Sequence, residues 1–471
     1  MLAPIDAPAG DPAAYRERVS RARQRAIWLA GVPVVLLVYA WIATAHGVAA
    51  GFVAAALLAL SPNLLAHASL ATTDVAFTAS FLITLVALIS CLREQTVARS
   101  AILAGALGVS LATKYSALAL FVSAGILFAM YWRQRRQLLD VAILAGALIV
   151  AWAAHGWAVA PVIAEGGTVT QWVDRLFGWT DESTRISAWL AELRAPIYLR
   201  GIAAQVYLDR AGQEAFFFGQ TAQHGWWYYF PVAIAIKSTP VELLAYATFA
   251  TMALLRRGRD VETRALMVMA AVLAMLAVGS HRALGVRYVL PLLVVAVAGS
   301  VGWLAQAWRQ QPRLAASIAG VALSLQLLSS LSIAPDYLAY FNDLSGGPSR
   351  GYTKLVDSNL DWGQDLPRLA DWLRDRGTDR VLLSYFGTAP PAAYGIRATS
   401  LRAPESAEPE PEWFAISVTL MQGVFVCGDP FARLRAITPE ARIGYTMMVY
   451  SARDAAVRRA LEPARHDPCL Q

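Results

Sequence analysis

Charge is scarce in this chain. Only 15% of its 471 residues are Asp, Glu, Lys or Arg, against roughly a quarter in soluble domains. Uncharged stretches of about 18 residues recur along it, which excludes an ordinary soluble core. Cysteine is scarcer still: Cys91, Cys427 and Cys469 are all there is. No metal-ligand spacing and no disulfide-rich scaffold can be read from three such positions. There is no Gly-rich phosphate loop, no nucleic-acid motif and no internal repeat. Nor is there a signal-peptide pattern, since residues 1–25 are polar, basic and rich in Pro and Ala.

What the chain has is apolar length. Apolar residues make up 57% of it, and its mean hydropathy is +0.45. About ten runs are candidate spans: residues 26–45, 48–62, 75–92, 100–113, 115–131, 138–157, 229–255, 264–280, 288–306 and 314–334. Lys114 alone separates the fourth from the fifth, so a broken or re-entrant helix is an alternative there. The net charge of +7 comes from Arg in the short loops: Arg93 and Arg99, Arg133 to Arg136, Arg256 to Arg259, Arg309 and Arg313. These clusters alternate across the spans and so share one face, the cytoplasm by the positive-inside rule. The other face receives Asp74, Lys114, the segment 158–228, the loop His281–Arg287 and everything after about 335. This count puts Arg16, Arg18, Arg21, Arg23 and Arg25 on the outer side, against the rule. A preceding span, a miscounted short pair, or residues 1–25 lying flat as an interfacial helix each removes the conflict.

Asp74 carries the most information. It stands between the uncharged runs Val48–Leu60 and Val75–Leu92, behind Ser61-Pro62-Asn63-Leu64-Leu65-Ala66-His67. An ionisable group at the edge of hydrocarbon is costly and usually faces a cavity. The alternative is an N-cap for a helix beginning at Val75.

From about 335 the composition changes: Gly, Pro and charge rise and long apolar runs stop. Arg380–Phe386, Trp413–Thr419 and Ile443–Tyr450 read as strands, and Pro367–Arg376 and Ala455–Leu461 as helices. The expected fold is an α-helical polytopic membrane protein with a small C-terminal extracytoplasmic α/β domain. Residues 1–25, 26–334 and 335–471 are its basic segment, membrane domain and tail. Cys427 and Cys469 then lie on the oxidising side, where pairing is open to them.

Gly51–Asp74, Leu111-Ala-Thr-Lys-Tyr115 and Gly285-Val-Arg-Tyr-Val-Leu-Pro291 together resemble segments of the multispanning GT-C glycosyltransferases. The likeness is to the protein O-mannosyltransferase and aminoarabinose-transferase kind. Tyr337–Asn342 and Asp357-Ser-Asn-Leu-Asp-Trp-Gly-Gln-Asp365 are similar to the tail of a bacterial branch. The resemblance implies a bacterial inner-membrane enzyme. It would take a sugar from a polyprenyl-phosphate donor and give it to a protein, lipid or glycan hydroxyl outside the cytoplasm. A divalent metal is left open. An acidic Asp-Glu loop after a first span, usual in that family, does not occur upstream of Asp74. The chain is expected to begin near the family's second span, and expressed alone to be poorly active.

Such chemistry asks for a general base and for positive charge at the departing phosphate. Asp74 is the candidate carboxylate. His67 either orients it or bonds a backbone carbonyl. Lys114 and Arg287 are the candidate phosphate ligands, with Tyr115, Tyr288 and Arg282 beside them; snorkelling is the alternative for the cations. His281 shares the loop of Arg282. Lys237 either faces the cavity or marks the end of a span. Trp226 and Trp227 anchor an interface or stack on substrate. Asp357, Asn359, Asp361 and Trp362 contact the acceptor or serve as turn and cap residues. A catalytically inactive scaffold of the same fold is the competing class. A transporter is disfavoured, because its polar site would lie near the midplane.

Overall fold

A computed structural model describes residues 11–162, 188–189, 192–256, 260–307, 309–402 and 410–470. Arg257, Arg259 and most of the expected outer segment after residue 162 lie outside the described residues.

The first helix, α1, runs unbroken over Pro12–His46, 35 residues. At 1.5 Å per residue it is about 52 Å long, well beyond the hydrocarbon thickness of a bilayer. Asp11 caps it by accepting from Ala13 N at 2.9 Å. The basic segment is therefore the first half of the helix that enters the apolar run, not a separate interfacial element. It leans on the tail, where Arg16 Nη1 donates to Ala393 O at 2.6 Å.

Among the described residues six helices are long and apolar enough to cross a membrane, or seven if one bent pair counts as a span. This is fewer than the ten expected, and the breaks have local causes. The run 48–62 divides into α2 (Val48–Ala59) and α3 (Pro62–Ala68), bent by 66°. Pro62 lacks an amide hydrogen and Ser61 caps the new helix, accepting from Leu64 N at 3.3 Å. The long helix α4 (Thr73–Arg93) follows. Lys114 ends α5 (Val97–Thr113) in an extended conformation before a 3-10 turn and α6 (Leu118–Met130). After α7 (Gln137–Ala154) and α8 (Ile197–Ala211), the expected span 229–255 breaks at Ser238-Thr239 into α9 (Tyr229–Lys237) and α10 (Pro240–Arg256). Three pieces, Val97–Thr113, Tyr115–Met130 and Pro240–Leu255, are apolar but shorter. The bundle is completed by α11 (Val261–Gly279), α12 (Leu290–Ala307) and α13 (Pro312–Leu331).

The loop arginines gather at one end of the bundle. Arg135 bonds Asp140 at 2.5 Å and Cys91 O at 3.3 Å, Arg99 reaches Ser90 O, and Arg93 pairs with Glu262 at 2.8 Å. Asp74, Lys114 and Arg287 lie at the other end.

Two short two-stranded pairings come earlier in the chain, β1 (Val159–Pro161) with β2 (Arg194–Pro196) and β3 (Ala215–Phe217) with β4 (Gln220–Ala222), and beyond the bundle the tail forms one five-stranded sheet of β5 (Arg380–Ser384), β6 (Arg397–Thr399), β7 (Trp413–Ser417), β8 (Ala441–Ile443) and β9 (Met447–Ser451). The order is β6-β5-β7-β9-β8, parallel on one side and antiparallel on the other. The expected strand Ile443–Tyr450 is a turn and parts of two strands, and the three-residue β6 was not expected. Helices α14 (Leu366–Arg374) and α15 (Ala455–Arg465) match the sequence reading. Cys427 and Cys469 are disulfide-bonded, with Cα atoms 5.4 Å apart.

Bundle and tail share a core: Phe217, Tyr229 and Val286 pack in one apolar cluster with Leu360, Phe414 and Ile416. The open end of α9 is sealed the same way, as Asn342 Nδ2 donates to Ala235 O at 2.7 Å and Ser238 O at 3.0 Å. Those carbonyls would otherwise be orphans of a buried helix end.

Candidate functional site

Helix α4 begins at Thr73 with Thr72 as its N-cap. Asp74 therefore sits inside the first turn rather than capping it. A carboxylate there is favoured by the helix dipole, and this one is also claimed from outside. Lys114 Nζ donates to Asp74 Oδ1 at 2.5 Å, and Arg287 Nη1 lies 3.7 Å from Oδ2. Asp74 is only 3% exposed. Lys114 and Arg287, 40 and 213 positions along the chain from Asp74, thus form one ionic cluster around it, Asp74 to Lys114 and Asp74 to Arg287.

Each cation is aimed by its backbone. Lys114 is thrown out of α5 by its extended conformation, and its ammonium rests 4.3 Å from the centre of the Tyr288 ring. Arg287 follows Gly285, whose φ of 101° suits glycine. A Cβ there would also meet Asn359 Oδ1 at 3.0 Å. That oxygen accepts from Val286 N at 3.1 Å, fixing the turn that carries Arg287. The guanidinium lies 5.0 Å from the Trp362 ring of the tail.

The cluster lines a cavity of about 420 Å³, with Thr72, Tyr115, Ser116, Gln205 and Tyr288 among its walls. His67 is buried behind it, within electrostatic reach of Asp74, and neither ring nitrogen has a hydrogen-bond partner. The expected alternative, a bond to a backbone carbonyl, is not made. Thr72 Oγ1 and Trp362 Nε1 are likewise buried without partners. Orphaned polar atoms grouped at one place mark where a bound molecule or water completes the bonding.

Other expected residues go elsewhere. Lys237 is buried, and its Nζ donates to Leu338 O and Asn359 O at 2.7 Å each. It pins the tail to α9 and does not line the cavity. Arg282 donates to Gln213 Oε1 at 2.9 Å, and His281 Nδ1 lies 3.7 Å from Asp209. Trp226 packs 5.2 Å from Phe217, whereas Trp227 is 70% exposed. Asn359 Nδ2 donates to Tyr229 Oη at 2.7 Å. Asp361 accepts from Gly363 N at 2.9 Å and Thr419 Oγ1 at 3.0 Å. Burial pushes the Asp361 carboxyl up to about 7. These two hold the tail together. Asp357 is half-buried with φ 51°, and burial pushes it up to about 6 while Arg287 pulls the other way.

Two residues were missed. Gln205 gives no sequence signal, since it is one polar residue on a mixed helix. Glu242 did give one, an acid inside an apolar run. It proves fully bonded, to Ser61 Oγ at 2.5 Å, Thr239 N at 3.0 Å and Gln326 Nε2 at 3.2 Å. Among the described residues the one cluster of three metal-type donors is Cys427, Asp467 and Cys469. Its sulfurs are joined to each other, and the charged neighbours of Asp74 are the cations Lys114 and Arg287.

A helical bundle with several apolar helices of membrane-crossing length, a buried ionic triad at one end and a small sheet docked over that end defines the class of architecture. No protein-family model, curated protein or solved structure matches the chain.

Proposed function

We propose that this chain is a glycosyltransferase of the inner membrane, taking a sugar from a polyprenyl-phosphate donor at the outer face. One observation carries the reading: Asp74, Lys114 and Arg287 meet at one cavity at the end of an apolar bundle. The donor phosphate takes over Lys114 and Arg287, as Arg and Lys suit phosphate oxygens. That releases Asp74 to accept the acceptor's hydroxyl proton. The acceptor oxygen bonds to the anomeric carbon as the bond from that carbon to the phosphate oxygen breaks. The lipid phosphate leaves with the electron pair, and the two cations stabilise its growing charge. No step calls for a nucleotide or a metal. The outer-face assignment rests on the short-loop arginines Arg93, Arg99 and Arg135 being cytoplasmic.

The competing reading is a scaffold without catalysis, favoured by the saturation of Asp74 by two cations. The purified chain, a polyprenyl-phosphate sugar and an envelope extract separate the two. Transfer that is lost in Asp74→Asn supports the enzyme; no transfer, with the donor still bound, supports the scaffold.

A further inference from the structure

We infer that Gln205 on α8 is a specificity-determining residue that selects an uncharged, fully hydroxylated sugar; the inference rests on the glycosyl-transfer reading. The lining of the cavity contains two cations, Lys114 and Arg287, and one anion, Asp74. The balance is one positive charge, which matches the single negative charge of a phosphodiester-linked donor. Among the described residues no second carboxylate lines the cavity. With the donor phosphodiester bound the site is neutral, and an amino sugar would add an ammonium whose one nearby carboxylate, Asp74, the transfer step needs free as its base. Burying a charge without a partner is costly, so such a sugar is disfavoured.

The rest of the polar wall is neutral. Thr72, Thr113, Tyr115 and Ser116 offer hydroxyls, and Gln205 offers an amide. Gln205 stands apart because it comes from α8, outside the bundle helices that carry the triad. Its approach is built into the sequence. A Cβ at Gly201 would collide with the Tyr115 hydroxyl, so glycine there lets α8 lie against Tyr115. Gly201 and Gln205 are four residues apart and share one helix face. The face that packs on Tyr115 therefore delivers Gln205 to the cavity. Gln205 is half-buried, and its amide has no hydrogen-bond partner among the described residues. An unengaged amide offers two donors and an acceptor, the complement of a pair of sugar hydroxyls. A site that reads hydroxyls by hydrogen bonding rejects analogues that lack them.

The test measures binding to the full chain in lipid nanodiscs. The probes are polyprenyl phosphate alone, its hexosyl ester and its 4-amino-4-deoxypentosyl ester. Wild type is expected to bind the hexosyl ester at least about tenfold tighter than the amino ester. Gln205→Leu should weaken hexosyl binding about three- to tenfold, the loss of one or two neutral hydrogen bonds. It should leave binding of bare polyprenyl phosphate unchanged. Gln205→Glu, which adds a carboxylate, should narrow or reverse the preference. Unchanged hexosyl binding in Gln205→Leu, or a wild-type preference for the amino ester, overturns the inference. Failure of wild type to bind bare polyprenyl phosphate would instead sink the glycosyl-transfer reading itself.

Discussion

Asp74 is held by two cations of unequal reach, Lys114 at 2.5 Å and Arg287 at 3.7 Å. The shorter pair makes Lys114 the anchor and leaves Arg287 freer to follow a phosphate. Arg287→Lys should therefore lower kcat more than Asp74–Lys114 geometry alone would suggest, because lysine cannot both span that gap in a planar fork and stack on Trp362. On the glycosyl-transfer proposal, Asp74→Asn should cost about 10²- to 10⁴-fold in kcat, the usual loss with a general base. Single-turnover transfer assays on each variant check both; an Asp74→Asn enzyme as fast as wild type would remove Asp74 from the mechanism. Asp361 makes a different prediction. Its carboxyl is pushed up by burial to about 7 from an ordinary 3.8. Between those values the folded chain holds a proton that the unfolded chain releases. Stability is thus highest below about pH 4 on this account and falls as pH rises toward 7, by up to about 1.4 kcal/mol per unit. Asp361→Asn should flatten that slope, read as Tm against pH.

At the scale of elements, breaks rather than helices place the ionic cluster. The bend before Pro62, the stop at Lys114 and the turn after Gly285 each turn a side chain inward at one end of the bundle. A regular helix through any of them would have pointed it at lipid or at a neighbour. Lys237 shows how the break after α9 is secured, by donating to two tail carbonyls. Lys237→Met should orphan both, at about 1–3 kcal/mol each. A lower Tm and faster proteolysis of the tail are the expected readouts, with the disulfide intact; a melting curve like that of wild type would show that the pin is dispensable. The breaks were partly legible. Pro62, Lys114 and Pro240 were visible in the sequence, but the runs around 48–62 and 229–255 read as continuous because hydropathy does not register a bend. Glu242 was visible too. Its role as a bonded cap could not be, since Ser61 and Gln326 come from distant helices.

Across the whole molecule, the tail and the first half of α1 lie together, joined by Arg16 and Ala393. The arginines of α1 are thus on the tail's side of the bundle, opposite Arg93, Arg99 and Arg135. A bis-maleimide should link cysteines placed at Arg16 and Ala393, and the linked product should run as a single altered band. Failure to link, with both cysteines reactive, would separate α1 from the tail. The sequence by itself determined the apolar character of the bundle, the change of composition near 335, the two central strands and two helices of the tail, and the short roster of charged residues able to act. Those depend on local period and on the cost of charge in hydrocarbon, both of which are written residue by residue. Only the tertiary structure decided which of those residues meet. Lys114 and Arg287 converge on Asp74, Lys237 turns away to the tail, and Gln205 arrives on a helix with no distinguishing pattern. Such choices are set by how separate helices pack and where their broken ends point, and a linear pattern carries no record of either.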